Sequence, residues 1–555
     1  MDFRLIESYH KVFETASVSD YAPIGAVKTV LLDDMLAFEG VLAAEKACTV
    51  FVKTECALPV TTRAVESVYV RHPVYPTITD PDYLNDKKPG RYPDLLLPLG
   101  ENNALAVSPD VLTSLWFELK TTKDTAAGDY PVAVTIMDEN GAALASASLT
   151  VHVIPAVLPK QTIKYTEWFH CDCLASYYTV APLSERHWEI IENFARTAAE
   201  NGQNMLYTPL FTPALDTVEG GERPTVQLVG VTREDGVYSF DFSLVDRWLA
   251  MCDRVGIEYI EVCHLFTQWG AAHAPKIMAT VDGTYRRLFG WDTDSLSDEY
   301  IGFLRAFLVA FKDYMKKLGR LDKCMFHMSD EPVPQHLERF MKLKAAIADL
   351  LTDVPCGDAI SHYEFYENGA VSNPIVAIDA ITPFIEHKVP HLWGYYCCGE
   401  ADKVSNRFIA MSMNRTRVIG QQIFKYELAG FLQWGYNFYY CCGSTHILDP
   451  YTCNDGTDHF AARHGIWVPA GDPFSVYPAS DGTAYESLHI KGFTQALLDV
   501  RALQLLASLT SREEVVKLLD TLGNCDFTFA DYCRDADFCE RVRSEVNARI
   551  EAALK

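Results

Sequence analysis

Asp330 and Glu331 stand side by side in the run Cys324-Met-Phe-His-Met-Ser-Asp-Glu-Pro332. Two neighbouring carboxylates in a buried setting ionise unequally, because charging one raises the cost of charging the other. One can then donate a proton while the other stays anionic, the division of labour that glycoside cleavage requires. Side chains alternate along a strand, so adjacent acids converge only where the strand ends and the backbone turns. Pro332 marks such an end for the apolar run Lys323 to Met328.

The elements around this pair alternate between strand and helix patterns. Strands are predicted at 164–171, 205–211, 257–265, 323–328, 359–365, 377–384, 391–397 and 431–439, with helices at 185–201, 244–255, 300–318 and 337–351. Ser295 or Ser297 can cap the third of these helices and Gly319 can end it. Eight strands interleaved with helices over residues 159–484 form the pattern of a (β/α)8 TIM-type barrel, whose active site lies at the C-terminal ends of the strands. The segment 226–241, turning at Asp235-Gly236, reads as a hairpin inserted after the second strand.

Residues 1–158 read instead as a β-sandwich, with short strands, Pro- and Gly-rich connections and an Asn140-Gly141 hairpin signal for a type I′ turn. The prolines of Ile154-Pro-Ala-Val-Leu-Pro159 mark the linker. Residues 485–555 form a helical segment expected to pack on the barrel. No internal repeat is evident.

Strand-end aromatics can stack on the C–H face of a sugar, and polar groups can bind its hydroxyls. Trp434, Tyr395, Trp393, Trp269 and Tyr436, with His170, Asp172 and His264, are the candidate substrate-binding residues. A two-carboxylate mechanism would need a second acid about 5 Å from Glu331, for which Asp172, Glu261 and Glu364 are available. His170-Cys-Asp172 could be read as metal ligands, but no second His pair completes the set. His327 reads as a satisfied core histidine.

A formal net charge of -26 excludes a phosphate-backbone partner, since binding nucleic acid requires a basic face. The first residues lack a basic stretch followed by an apolar one, and no run of about 20 apolar residues occurs, so a cytoplasmic protein without membrane contact is expected. Its 16 cysteines then read as reduced, buried residues without zinc spacing. A small carbohydrate or glycoside is the expected partner, and a homo-oligomer is left open.

The acidic pair, together with Gly236-Val-Tyr-Ser-Phe-Asp-Phe-Ser243, Ala429-Gly-Phe-Leu-Gln-Trp-Gly-Tyr-Asn-Phe438 and Gly471-Asp-Pro-Phe-Ser-Val-Tyr-Pro478 in that order around it, resembles glycoside hydrolase family 123 from about residue 160 to 505. The resemblance implies a β-sandwich followed by a (β/α)8 barrel and hydrolysis of β-N-acetylgalactosaminides by substrate assistance, with no metal or organic cofactor. It implies that Glu331 is the general acid, and that Asp330 orients the 2-acetamido group whose carbonyl oxygen attacks the anomeric carbon. One departure is Glu486-Ser-Leu-His489, where His489 stands in place of the family's Arg. A barrel glycosidase for another amino sugar, a non-catalytic carbohydrate-binding protein and a metal-dependent hydrolase are the alternatives.

Overall fold

The computed structural model describes residues 1–458, 465 and 467–555. Its N-terminal region contains two five-stranded sheets. One runs in the order Asp2–Glu7, Met35–Ala43, Thr113–Lys120, Val60–Val70, Gly90–Pro98, and the other Val27–Leu32, Ala143–Val157, Gly128–Met137, Cys48–Glu55, Ala104–Val107. Alternating apolar residues of both sheets, among them Phe38, Leu115 and Phe117 from the first and Val134, Ile136 and Val151 from the second, meet in one core. The expected type I′ turn at Asn140-Gly141 is not what joins Gly128–Met137 to Ala143–Val157. Gly141 has positive φ, Asn140 does not, and the Gly141 amide bonds back to the Asp138 carbonyl. This is a longer turn of the kind built on type I geometry, stabilised by Asp138 Oδ1 accepting the amides of Asn140 and Ala142.

Eight short parallel strands follow, Lys164–Glu167, Met205–Thr208, Tyr259–Val262, Cys324–Met325, Gly357–Ile360, Asn373–Ala377, Trp393–Tyr396 and Gly430–Gln433. The first pairs with the eighth, and the fifth to eighth pair in succession. The second to fourth form a separate ladder, joined to the fifth by a parallel bridge between Phe326 and Cys356. The backbone amide of Asn204 donates to the Tyr165 carbonyl, linking first and second. Six of the eight overlap their expected positions along most of their length, and the fifth shares only its last two residues with 359–365. The sixth lies earlier than 377–384, whose apolar residues at 381, 384 and 385 belong in part to the helix Thr382–Glu386.

The helix Asp298–Lys317 starts as expected, with Ser297 Oγ accepting the Tyr300 amide, and Gly319 beyond its end has positive φ. The inserted hairpin is present as Gly230–Glu234 and Val237–Asp241 turning at Asp235-Gly236. It is extended by Ile277–Val281 and Thr284–Phe289 into a four-stranded sheet that periodicity did not reveal.

The C-terminal helices Leu488–Leu509, Arg512–Gly523 and Phe538–Ala553 share one core with Leu31, Ile154 and Leu158 of the N-terminal region and Val418 and Phe424 of the region of parallel strands. They therefore pack on both. His489, at the departure from the family pattern, is fully buried there, with Nδ1 2.7 Å from Asp94 Oδ1 and Nε2 2.9 Å from the Phe474 carbonyl. Among the described residues no helix is long and apolar enough to cross a membrane.

Candidate active site

The strand Cys324–Met325 is short because the chain leaves the ladder early and is then fastened by its neighbours. Asp358 Oδ1 accepts the amides of Met328 and Ser329 at 2.8 and 3.0 Å, and Ser329 Oγ donates to the Thr267 carbonyl. The Glu331 amide donates to the Ala359 carbonyl, while the Asp330 carbonyl accepts the Trp269 amide at 2.9 Å. So pinned, Glu331 adopts φ 42, a left-handed conformation that a non-glycine residue holds only when its surroundings impose it. The turn brings both carboxylates to the same side, as the sequence argument required.

They line a cavity of about 240 Å³ with Trp168, Asp216, Trp269, Ala359, Tyr395, Cys397, Cys398, Leu432, Trp434, Phe438, Cys442, Gly443 and Val468. The Tyr395 hydroxyl donates to Glu331 Oε1 at 2.7 Å. Trp434 Nε1 donates to Asp472 Oδ2 at 2.9 Å, which fixes the indole at the wall. Behind the wall, buried Arg407 donates to Glu167 Oε2 at 2.6 Å, to Gln433 Oε1, and to the carbonyls of Gly435 and Asp472. One guanidinium thus joins the first strand, the eighth strand and the Asp472 loop.

The electrostatics are dominated by acids. Burial, followed by the charges of Glu331, Asp216 and Asp358, holds the Asp330 carboxyl well above the usual carboxylate range. Burial raises Asp216 to about 7, opposed by Arg223 and aided by Glu331. Asp472 is also raised to about 7 by burial, and Glu400, whose Oε2 accepts the Cys397 amide, to about 8. Carboxyls that retain protons near neutral pH can serve acid-assisted bond cleavage.

Of the residues singled out from the sequence, Asp330, Glu331, Trp434, Tyr395 and Trp269 meet at this cavity. Trp393 does not. It begins its strand, two residues below Tyr395, and lines a separate cavity of about 650 Å³ with Lys164, Met325 and Phe424. Tyr436 is buried with its hydroxyl on the Phe194 carbonyl. Asp172 is engaged by Arg223 in a two-pronged ion pair at 2.6 and 2.8 Å, and Arg223 Nη2 also lies 3.2 Å from His170 Nδ1. A guanidinium thus fills the place that a metal would take between His170 and Asp172. It helps burial hold His170 down to about 3.

His264 is buried beneath Trp168, with Nδ1 2.9 Å from the Tyr207 hydroxyl. Glu261 accepts from Trp168 Nε1 and from Thr166, and lies 2.8 Å from His327 Nε2, so it is a structural acid and not a second cavity carboxylate. Glu364 does not line the cavity either. The acids that periodicity missed are Asp216, between the second strand and the inserted hairpin, and Glu400. Asp472 lay within a quoted motif without an assigned role. Among the described residues, His264, His327 and Asp358 form one group with metal-ligand spacing.

An acidic pair walled by Trp and Tyr in one cavity has the residue types that carbohydrate cleavage uses. The family model for the glycoside hydrolase 123 catalytic domain matches residues 168–506. The structure superposes on a family 123 glycoside hydrolase from Clostridium perfringens, studied for glycolipid glycan hydrolysis, with a TM-score of 0.73 at 14% identity, covering 99% of this chain and 98% of that one. A β-glucuronidase from Parabacteroides merdae is far less similar, with a TM-score of 0.29 at 11% identity, covering 85% of this chain and 50% of that one. Comparison with curated proteins gives no match. The chain belongs to glycoside hydrolase family 123, and it is a glycosidase by class.

Proposed function

We propose that this protein is a retaining exo-β-N-acetylgalactosaminidase, built as a β-sandwich followed by a (β/α)8 barrel and a helical tail, and that the substrate's own acetamido group is its nucleophile. Glu331 protonates the glycosidic oxygen. The acetamido carbonyl oxygen attacks the anomeric carbon, the aglycone departs, and an oxazolinium ion forms. Asp330 accepts the acetamido N–H and, as a carboxylate, stabilises that cation. Glu331 then takes a proton from water as it opens the ring.

The observation that carries this reading is the adjacency of two carboxyls in unlike settings. Glu331 is held by Tyr395, while Asp330 is desolvated among other acids. Approach of an N–H donor and a cation favours the charged form of Asp330 at the stage where it is required. The cavity, smaller than the roughly 300 Å³ at which ligand pockets usually begin, suits one terminal sugar. The glycan of a glycolipid, the substrate named for the Clostridium perfringens enzyme, and small soluble glycosides are the partners to test.

Glu331→Gln should abolish most turnover of glycosides with poor leaving groups, and undiminished turnover would refute the assignment. A second reading rests on Asp216, a cavity acid close enough to Glu331 for their charges to couple. If Asp216 were the nucleophile or base, glycosides carrying a 2-hydroxyl in place of the acetamido group would be cleaved at comparable rates. The substrate-assisted reading requires them to be nearly inert.

A further inference from the structure

The strands Tyr259–Val262, Cys324–Met325 and Gly357–Ile360 carry three potential ligands to one point. His264 and His327 each lie two residues past the end of their strand, and Asp358 lies within its own. One donor atom from each lies within 4.8 Å of the other two, and all three residues are buried. The imidazoles stack with centroids 4.7 Å apart.

Their hydrogen bonding is what separates this group from an ordinary buried cluster. Each imidazole is engaged at one nitrogen only: His264 Nδ1 lies 2.9 Å from the Tyr207 hydroxyl, and His327 Nε2 lies 2.8 Å from Glu261 Oε1. The other nitrogens, His264 Nε2 and His327 Nδ1, are buried and make no well-formed hydrogen bond among the described residues, although the Gly357 carbonyl lies close enough to the His327 ring to favour its protonated form. His327 Nδ1 lies 3.9 Å from Asp358 Oδ1, too far for a hydrogen bond. A carboxylate or hydroxyl on the far nitrogen, with the near one free, is how metal-binding histidines are oriented in proteins.

We propose that His264, His327 and Asp358 bind one divalent transition-metal ion, with Zn2+ the best fit to a two-imidazole, one-carboxylate set. Donors of a tetrahedral site with bonds of about 2.0–2.1 Å lie about 3.4 Å apart, so binding draws the three atoms together by at most about 1.4 Å. The ion sits one layer beneath the catalytic cavity. Glu261 holds both His327 and the floor residue Trp168, and Asp358 also holds the amides of Met328 and Ser329 just before the acidic pair. Its role is structural. It ties three strand ends under Asp330 and Glu331 and takes no part in bond cleavage.

The test is metal content, which does not depend on the proposed substrate. The full chain is produced with Zn2+ in the medium, freed of loosely held ions by gel filtration and measured by plasma mass spectrometry. About one Zn2+ per chain is expected, falling at least tenfold in His264→Phe, which keeps a ring against His327 and Trp168, and in Asp358→Asn. Should a variant fail to fold, chelator-treated wild-type protein titrated with Zn2+ provides the same information through a rise in thermal midpoint, and Co2+ substitution should give ligand-field bands of a low-symmetry site. Less than about a tenth of an equivalent in the wild type, or equal metal in folded variants, would overturn the proposal and leave the two nitrogens to a buried water.

Discussion

The hydroxyl of Tyr395 donates to Oε1 of Glu331 across 2.7 Å, joining the seventh strand to the residue with φ 42 in the turn that follows the fourth. This contact fixes one oxygen of the proposed acid and so fixes where its proton can go. Tyr395→Phe keeps the ring in the wall and removes only the donor. It should lower kcat by about 10- to 100-fold while leaving KM within a few-fold, because a hydrogen bond to a carboxylate contributes about 1.5–3 kcal/mol. Steady-state kinetics on an aryl β-N-acetylgalactosaminide reads this directly.

Asp330 acts as a carboxylate in the proposed reaction, yet burial and three neighbouring acids hold its proton above the usual range. Activity must therefore rise with pH on the acid side as Asp330 ionises. Asp216 is one of the charges that raise Asp330. Asp216→Asn removes that charge, so the acid limb of kcat/KM should move to lower pH. A limb that stays in place or moves upward would show that Asp330 is not the group being titrated.

Stability should also depend on pH, with a definite sign. Buried Glu39 and Glu400 are raised to about 8, and Asp216 and Asp472 to about 7, all above their unfolded values. Between about pH 6.5 and 8, above the range in which the depressed histidines His10, His170, His187 and His264 would take up protons on unfolding, the folded chain therefore binds more protons than the unfolded one, and stability falls as pH rises. At lower pH the buried ion pairs that hold Glu118 and Glu540 down to about 2 begin to be lost. Thermal midpoints measured from pH 4 to 9 should peak on the acid side of neutrality and decline toward pH 8.

Arg407 offers a test of the scaffold. It is buried and bridges the first strand, the eighth strand and the loop that holds Trp434 through Asp472. Arg407→Ala leaves Glu167 buried with no cation and should cost about 3–5 kcal/mol, measured by denaturant unfolding.

How much of this was legible in the sequence followed from the range of the interactions. Six of the eight strand positions and the capped helix Asp298–Lys317 were written in local periodicity and in Ser297. The sixth strand was displaced because Pro374 sits inside Asn373–Ala377, where a proline argues against strand, while the apolar residues that follow belong in part to a helix. Asp330 and Glu331 could be found because a turn before a proline makes adjacent acids converge. Asp216 and Arg407 could not, because their importance comes from partners far along the chain, as with Glu167 and Arg407. Trp393 was misplaced for a simpler reason. It shares a strand with Tyr395, but lies at the end of that strand away from the cavity.

The central claim is that Asp330 faces the substrate's acetamido group while Glu331 moves the proton. A crystal structure with a galacto-configured thiazoline, a stable mimic of the oxazoline, tests it most directly. The account predicts an Asp330 carboxylate oxygen within about 2.6–3.2 Å of the thiazoline nitrogen, and Glu331 positioned at the face from which the aglycone leaves. A thiazoline nitrogen with no contact to Asp330, or Asp216 lying against the anomeric carbon, would contradict it.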